Sequence, residues 1–485
     1  TPNQSTSYKS APDRTASFFG RALYDYKNRY YATLTVRADG STKFAPGKQW
    51  GYFPAGSIAW RISNEKWMKP IKFISDLKLR ASYGLAGNNR IGNDVWHNIY
   101  RVYSGTSAPA FGNEEYNYYQ FADQTYLYDP DLKWETTITR NIGLDFGFFR
   151  NRLSGTVDVY WNTTKDLLVP SIIPNSSGYS RQMTNVGQTS NKGVEISLDA
   201  KIIQTKDFQL SANFNVAFNK NKVDKLATGE TEWKTKASLS NWYGTYNYKM
   251  EVGKSMGLIY GFVNDGFYKV DDFDFDATTK KWTLKPGVPD NSSFSSGNFA
   301  FKPGAMKFKK LSDSESNLIT EDDMTVIGDT NPKVTGGFGL SGNWKNLDFT
   351  AFFNYMCDFD VLNVNKLYLH SAVRRNYSNL STDMNLANRF RYVDDAGVNV
   401  SSDPVALAAL NENAKTYSWM SVTQGITMID LVEDGSFLRL STLTVGYTLP
   451  KHWLRSLGVK SLRLYFSGSN LFTITGYSGY DPEVN

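Results

Sequence analysis

The sequence has 485 residues, of which 15% are aromatic, and its formal net charge is +6. It contains no run of ~20 apolar residues that would form a transmembrane helix, and no basic tract of the kind that binds nucleic acid. The single cysteine, Cys357, excludes a disulfide framework and a cysteine-based zinc site. A transmembrane β-barrel stays open, because alternating strands hide their apolar face from any average of hydropathy.

The predicted elements are long β-strands in which polar and apolar residues alternate. In chain order there are twelve, at about 17–26, 30–39, 51–62, 76–86, 136–149, 152–163, 191–203, 207–219, 334–344, 347–357, 436–449 and 460–472. Many of these runs reach ~9–11 residues, whereas strands of soluble proteins average ~5–6. Their length is therefore that of a membrane-crossing strand.

The connections between these strands alternate between short and long. The short ones lie at 27–29, 149–152, 204–207 and 345–346, with somewhat longer turns at 63–75 and 450–460; the long ones lie at roughly 87–135, 164–190, 220–333 and 358–435. Short periplasmic turns and long outer loops are typical of outer-membrane barrels, and sandwiches or propellers lack this alternation.

Aromatic residues crowd the short-turn ends, as expected of an interfacial girdle in a membrane barrel: they are Tyr24, Tyr26, Tyr30, Phe146, Phe148 and Trp344.

The directions of the strands indicate how much of a barrel this sequence forms. The first strand would run down to the periplasm and the twelfth up to the outside. The sequence therefore predicts an open arc of strands instead of a closed barrel.

Several long stretches of the sequence carry a family resemblance. They include SFFGRALYDYKNRYYATLTVRADGSTKF, LKWETTITRNIGLDFGFFRNRLSGTVDVYWNTTKDLL, TVIGDTNPKVTGGFG and DGSFLRLSTLTVGYTLP, and they follow one another in family order through residue 485. Together they resemble the SusC/RagA family of TonB-dependent outer-membrane transporters.

The resemblance implies an all-β, antiparallel transmembrane barrel of about 22 strands, in the outer membrane of Bacteroidetes-type bacteria. Residues 1–485 would be its C-terminal part, with the N-terminal plug domain, the first nine strands and the closing strand outside this sequence. The implied function is import of bulky nutrients, oligosaccharides or peptides, without catalysis.

The resemblance also implies partners. A SusD-like surface lipoprotein would cover the barrel as a lid, and a TonB complex would energise transport through the missing N-terminal part. Membrane lipid would surround the strands, and two transporter–lipoprotein pairs would form a dimer. No nucleic-acid partner is expected.

Aromatic residues crowd the predicted loops, and nine of them are candidate substrate contacts: Trp96, Tyr100, Tyr116, Tyr118, Tyr119, Tyr126, Trp242, Tyr243 and Tyr246. Tyrosine and tryptophan join an apolar ring to a hydrogen-bonding tip, which suits stacking against a sugar or a peptide. The alternative is that these side chains pack the loops against one another or against the lid.

One acidic segment has the spacing of a calcium loop. Asp272, Asp274 and Asp276 match it, but Ala277 and Thr283 stand where an EF-hand loop requires glycine and glutamate. We expect a solvated acidic loop, with a bound calcium ion as the weaker alternative, and no other metal or cofactor.

No catalytic constellation is evident. His97, His370 and His452 are scattered and form no HExxH motif. A GxGxxG pattern at 337–342 lies inside a predicted strand, without the following helix that a dinucleotide site requires. The carboxylates of Asp158, Glu195 and Asp199 need only be lumen-facing polar groups. We therefore expect no enzyme.

Two rival functions stay open at this stage. The first is a soluble or surface-attached β-rich carbohydrate-binding protein or hydrolase, in which the apolar strand faces would form a buried core. The second is a docking subunit of an outer-membrane complex, which would bind its partner without depending on a ligand. The short–long alternation of the connections argues against the first rival and leaves the second untouched.

Overall fold

One large antiparallel sheet dominates the structure. The computed structural model describes residues 13–93, 95–97, 100–103, 119–122, 126–227, 229–235, 246–294, 301–370, 381–418, 428–455 and 458–483. Its twelve long strands pair with their neighbours in chain order. They are β1 (Thr15–Tyr26), β2 (Tyr30–Ser41), β3 (Trp50–Arg61), β4 (Ile74–Asn88), β5 (Glu135–Phe148), β6 (Leu153–Lys165), β7 (Gln188–Gln204), β8 (Phe208–Lys225), β9 (Val334–Trp344), β10 (Leu347–Cys357), β11 (Phe437–Thr448) and β12 (Arg463–Thr475). All twelve predicted strands are confirmed.

The short turns use left-handed backbone conformations to reverse the chain. Lys27 and Asn28 have φ of 56° and 52°, and the Asn28 N–H donates to the Asp25 carboxylate at 2.8 Å. Positive φ in a hairpin turn matches the right-handed twist of the strands that it joins. Residues 149–151 reverse the chain between β5 and β6 in the same way.

The sheet has one apolar face. Directly paired residues of neighbouring antiparallel strands lie on the same face, so a row of partners can be followed across all twelve strands. That row is Tyr26, Tyr30, Trp60, Leu79, Leu144, Val157, Ile196, Val216, Gly336, Tyr355, Leu438 and Ile474. Apart from the glycine, every member is apolar or aromatic. We call this the outer face, since lipid-exposed faces of membrane barrels are apolar.

The strands are staggered as in a barrel wall. The row just described starts at Tyr26 and Tyr30, beside the β1–β2 turn, and finishes at Leu438 and Ile474, near the opposite ends of β11 and β12. Directly paired residues lie on a line perpendicular to the strands. Because this line begins at one edge of the wall and reaches the opposite edge at β12, the strands are tilted relative to the barrel axis, as closure of a barrel requires. Among the described strands β1 and β12 are not paired with each other, which agrees with the predicted open arc.

The long loops contain secondary structure of their own. Small sheets are formed by Leu168–Ile172, Arg181–Asn185 and Tyr126–Leu127; by Glu232–Thr235, Tyr248–Glu251, Leu258–Gly261 and Thr325–Asp329; and by the pairs Asn264–Phe267 with Met306–Phe308, Phe273–Asp276 with Lys281–Leu284, Asp360–Leu362 with Val432–Asp434, and Tyr100–Tyr103 with Tyr119–Ala122. Among the described residues, the long β10–β11 loop contains the α-helices Val364–His370 and Pro404–Leu410, and a short helix, Lys451–Leu454, lies in the β11–β12 turn. No helix in the described ranges is long and apolar enough to cross a membrane.

The protein core lies in these loops and not behind the sheet. On the outer face Phe18, Leu34 and Ile58 are 68%, 58% and 65% exposed. The largest buried cluster belongs to the β8–β9 and β10–β11 loops, and it comprises Ile259, Tyr260, Phe262, Met306, Phe308, Ile319, Met324, Leu362, Met384, Tyr417, Met428 and Leu431. A soluble β-protein would instead bury the apolar strand faces, so this distribution argues against the first rival.

The outer face predicts how a charge would be tolerated in the middle of β7. Ile196→Arg places a cation on the lipid side of the wall, where such a change costs about 2–4 kcal/mol near the bilayer midplane. We expect less assembled barrel, measured as the heat-dependent gel-mobility shift of the full-length protein in outer-membrane extracts. The control is Ser197→Arg, one residue along on the opposite face, which should assemble normally. Equal loss in both variants would contradict the assignment of the faces.

Candidate functional site

The inner face of the sheet is polar and faces away from the apolar row. A row of directly paired residues on this face is Arg61, Lys78, Asp145, Thr156, Ser197, Asn215, Gly337, Asn354, Arg439 and Thr473. Charged side chains concentrate on β3–β5, while hydroxyls and amides follow on β6–β10. In a barrel this surface lines an aqueous lumen, so it is the wall along which a polar solute would pass.

Arg80 joins three strands of this wall. From β4 its Nε donates to Asp145 on β5 at 2.8 Å, and an Nη donates to both carboxylate oxygens of Asp158 on β6 at 3.1 Å. All three side chains are half-buried. Arginine suits such a bridge, because its planar guanidinium presents several donors in a fixed geometry. The bridge fixes the positions of three charges along the wall.

A glycine makes room for this bridge. A Cβ at Gly143, on β5 between the paired Arg80 and Asp158, would lie 2.5 Å from Asp158 Oδ1 and 2.6 Å from an Arg80 Nη. Atoms cannot approach so closely, so any larger residue must push the ion pair apart. Gly143 is thus part of the site, although it contributes no side chain.

A second arginine fastens a loop to the inner wall. Arg439, buried on β11, donates from Nε to Thr473 on β12 at 3.0 Å and from Nη2 to Asp481 at 2.6 Å. It also donates to Glu483. Both carboxylates belong to the segment that follows β12. Arg439 therefore holds that segment against the wall.

A second contact holds the same segment to the β10–β11 loop. The Glu433 carboxylate accepts from the backbone N–H and the hydroxyl of Ser478, at 2.8 and 2.9 Å, and pairs with Lys366 at 3.1 Å. Burial alone would raise the pKa of Glu433, but these donors more than offset burial and lower it. The anchor is therefore anionic at neutral pH.

The large loop body is organised around a buried carboxylate. Asp323 is fully buried and accepts from the backbone N–H groups of Leu311, Ser312 and Thr320 at 2.8–2.9 Å, and from Lys310 at 3.1 Å. Burial opposes ionisation, but the N–H donors outweigh burial and hold the pKa of Asp323 below its usual value. One charge thus ties together the two ends of the stretch 310–323.

A smaller cluster of apolar loop residues packs against the rim of the wall near β3. Phe44, Ile91, Val95, Leu132 and Met183 form its buried part. The Trp134 ring lies 5.3 Å from that of Phe44 and 5.6 Å from that of Phe53 on β3, and its indole N–H donates to the Gln49 carbonyl at 2.9 Å. These contacts connect two loops to the strand ends.

Three of the nine candidate substrate residues have described side chains. Trp96 is half-buried, with its ring 4.6 Å from that of His97. Tyr126 packs against the Phe44 cluster and Tyr246 against the large loop core, as the packing alternative expects. These contacts place both rings beside loop interiors.

The other candidates are less completely described. Tyr100 and Tyr119 begin two short paired strands, of which only the backbone is described. Tyr116, Tyr118, Trp242 and Tyr243 lie outside the described residues. Substrate contact by all nine stays a prediction.

The acidic segment forms a hairpin of Phe273–Asp276 with Lys281–Leu284. Asp272 pairs with Lys307 at 3.4 Å, and Asp276 accepts from the Thr278 and Thr279 backbone N–H groups at its turn. Within the described ranges, no three His, Cys, Asp or Glu side chains are grouped as a metal site would require. A solvated acidic loop stays the prediction, with a loop calcium ion as the weaker alternative.

The comparisons with known proteins place the chain in a family. A family model described as TonB dependent receptor-like, beta-barrel, matches residues 1–471. The chain belongs to this family. As a TonB-dependent receptor of SusC/RagA type, it is part of an outer-membrane β-barrel. The resemblance, the fold class and the location predicted from the sequence are thus confirmed. The family consists of transporters and not enzymes, so that prediction is confirmed as well.

Individual relatives show how much of the length is shared. TonB-dependent receptor P3 of Formosa agariphila is 33% identical, over 97% of this chain and 42% of that protein. TonB-dependent receptor SusC of Bacteroides thetaiotaomicron is 31% identical, over 96% of this chain and 41% of that protein. A structure of the RagAB peptide transporter matches with a TM-score of 0.73 and 26% identity, over 98% of this chain and 45% of that chain. This TonB-dependent receptor chain spans less than half the length of these relatives.

The glycine beside Arg80 provides a test of the inner-wall bridge. Gly143→Ala should open the bridge and lower the free energy of unfolding by about 1 kcal/mol, because water partly replaces charged hydrogen bonds at a half-buried site. The measurement is urea unfolding of the refolded barrel in detergent. The control is Gly20→Ala on β1, where a Cβ would meet nothing within 4 Å. Unchanged stability in both variants would rule out a steric role for Gly143.

The buried carboxylate predicts a local response to mutation. Asp323→Asn should weaken the 310–323 stretch by about 1–3 kcal/mol, because the N–H donors lose a charged acceptor. We expect faster proteolysis there, mapped by mass spectrometry, while Asp322→Asn, an exposed neighbour, behaves as wild type.

The lowered pKa of Asp323 also predicts a pH dependence. Its stabilisation is present above the unfolded-state pKa of about 3.9 and is lost as the pH falls further. Protection of 310–323 should therefore decline with acidification below that value in the wild type and change less in Asp323→Asn. Protection that is equally acid-sensitive in both proteins would assign the effect to other groups.

Proposed function

We propose that this chain forms part of a TonB-energised importer of bulky nutrients, oligosaccharides or peptides, that works with a SusD-like lipoprotein lid. The observation that carries the proposal is the combination of a polar inner wall with large, internally packed loop bodies at its outer end. A barrel with only short loops would suit a simple pore. Large packed loops, in contrast, provide surface for a bulky solute and for a partner.

The inner wall supports passage of a polar solute. Its hydroxyls and amides on β6–β10, including Thr156, Ser197, Asn215 and Asn354, offer weak hydrogen bonds along the whole wall. Oligosaccharides and peptides are both rich in hydrogen-bond donors and acceptors. They would exchange hydrogen bonds to water for hydrogen bonds to the wall with little loss of free energy. The arginine and lysine side chains of β3 and β4 pair with carboxylates of β4, β5 and β6, whereas Glu195 and Asp199 add exposed carboxylates to the same face on β7.

Exposed aliphatic side chains in the segment 381–410 of the β10–β11 loop support a protein partner. Leu386, Val393, Val398 and Val405 are exposed within residues 381–410, and Val405 is 80% exposed. Val393 and Val398 lie in one turn, which the pairing of Val393 with Asn399 closes. Because contiguous exposed apolar surface marks interaction sites, we assign the segment 381–410 to the lipoprotein lid, and the proposal includes a dimer of such transporter–lipoprotein pairs.

Uptake by intact cells tests the proposed function. The full-length gene is deleted in its native host, and labelled oligosaccharide and peptide pools are supplied with and without an active TonB complex. Uptake of one class should fall to background in the deletion strain and when TonB is disabled. Unchanged uptake of both classes, together with a stable complex that ignores ligand, would favour the docking subunit instead.

The lid assignment predicts a specific loss of partner binding. Val398→Asp combined with Val405→Asp should weaken co-purification of the lipoprotein with the full-length transporter by at least about tenfold, because each buried valine contributes about 1.5–3 kcal/mol. The control is Val459→Asp, an exposed valine in the β11–β12 turn at the other end of the wall, which should leave co-purification unchanged. Normal co-purification by the double variant would remove the segment 381–410 from the interface.

A further inference from the structure

Two lysines face each other on the outer face of the sheet, toward the ends of β7 and β8 that join the long loops. Lys192 on β7 pairs directly with Lys220 on β8, and on its other side Lys192 pairs with Trp161 on β6. All three side chains are exposed. They share the face of the apolar row, because Lys192 and Ile196 are separated by an even number of residues on one strand.

The pairing of these lysines is unfavourable without a third group. Side chains directly opposite each other have Cβ atoms about 4.5–5.5 Å apart, and like charges at that spacing repel. Within the described part of the chain, neither ammonium group has a hydrogen bond or an ion pair. An anion between the two ammonium groups would turn this repulsion into attraction.

Apolar residues continue the same surface toward the periplasm. One step along the strands, the directly paired Val159, Val194 and Phe218 form the next row, and Val159 and Phe218 are exposed. The two rows line one concavity of about 720 Å³, together with residues of the β8–β9 loop. It therefore has a cationic end near the loops and an apolar end deeper in the membrane.

The polar residues at the loop rim of the concavity already have hydrogen-bond or ion-pair partners. Asn331 bonds with Asn221 at 2.5 Å, Lys333 pairs with Asp358 at 2.8 Å, and Asp329 accepts from the Asn331 backbone N–H at 3.0 Å. These residues form the edge of the concavity, and in the described part of the chain none of them pairs with the ammonium group of Lys192 or Lys220. The carboxylate of Asp329 is the acidic group on this rim.

We propose that Lys192 and Lys220 bind the phosphate of a phosphorylated lipid in the outer leaflet, with its acyl chains lying on Val159, Val194 and Phe218. Charge complementarity selects the headgroup, since two ammonium groups can donate several hydrogen bonds to one phosphate. The adjacent apolar row selects a lipid over free phosphate. Trp161 suits the boundary, because its ring is amphipathic and prefers the membrane interface.

The test compares lipids that differ only in charge. Full-length transporter in detergent is mixed with phosphatidic acid or with diacylglycerol of the same acyl chains, and bound lipid is counted by native mass spectrometry. We expect phosphatidic acid to be retained, and its affinity to fall by at least about tenfold in Lys192→Gln combined with Lys220→Gln. The matched control is Lys201→Gln combined with Lys206→Gln, at the other end of the same hairpin, which should bind as wild type.

The other outcomes would overturn the proposal. Equal retention of phosphatidic acid by both double variants would show that the lysine pair is not the site. Equal retention of diacylglycerol by the wild type would show that the apolar row alone binds. Displacement of phosphatidic acid by inorganic phosphate would assign the site to a free anion. A gel-mobility assay on each variant separates these results from misfolding.

Discussion

The requirement that every strand hydrogen-bond to its neighbours decides the rest of this structure. Inside a bilayer an unpaired backbone N–H or C=O has no water to replace its partner, which costs several kcal/mol for each group. The ladders between neighbouring strands from β1 to β12 meet that requirement on both edges of the ten inner strands and on one edge each of β1 and β12, and they fix the side-chain period at two. Each strand therefore divides its residues between a lipid side and a lumen side, and neither side can become a conventional core.

The loops must consequently be stable by themselves. The wall offers them only its rim, so apolar burial has to occur within the loops, and the cluster around Phe262 and Phe308 provides it, with those two rings stacked at 4.9 Å. Polar contacts such as the Asp323 carboxylate then fix where the chain turns. A loop body built in this way has a core of its own and depends on the wall only at the rim.

The sequence predicted the wall well and the loops poorly, for the same physical reason. Strand alternation and tight turns are local signals, and they located all twelve strands to within three residues at each end, except that β8 continues to Lys225. Arg80, in contrast, meets Asp145 and Asp158 across 65 and 78 residues, so only the strand register brings them together. Asp158 was expected to face the lumen, but its bridge to Arg80 carried no local signal. Gly143 was missed because its contribution is the absence of a side chain, and only the positions of its neighbours reveal that.

The two faces also differ in how they manage charge. On the lumen side opposite charges pair within hydrogen-bonding distance, Arg80 with Asp145 on the next strand and with Asp158 two strands away. On the lipid side the paired Lys192 and Lys220 stand at the membrane boundary, two residues from a purely apolar row. A lysine can hold its ammonium group in the interface while its aliphatic stem lies on apolar surface. Two ammonium groups directly opposite each other repel and so destabilise the sheet. In the proposed lipid site, an anionic headgroup from the membrane binds between them and offsets this repulsion.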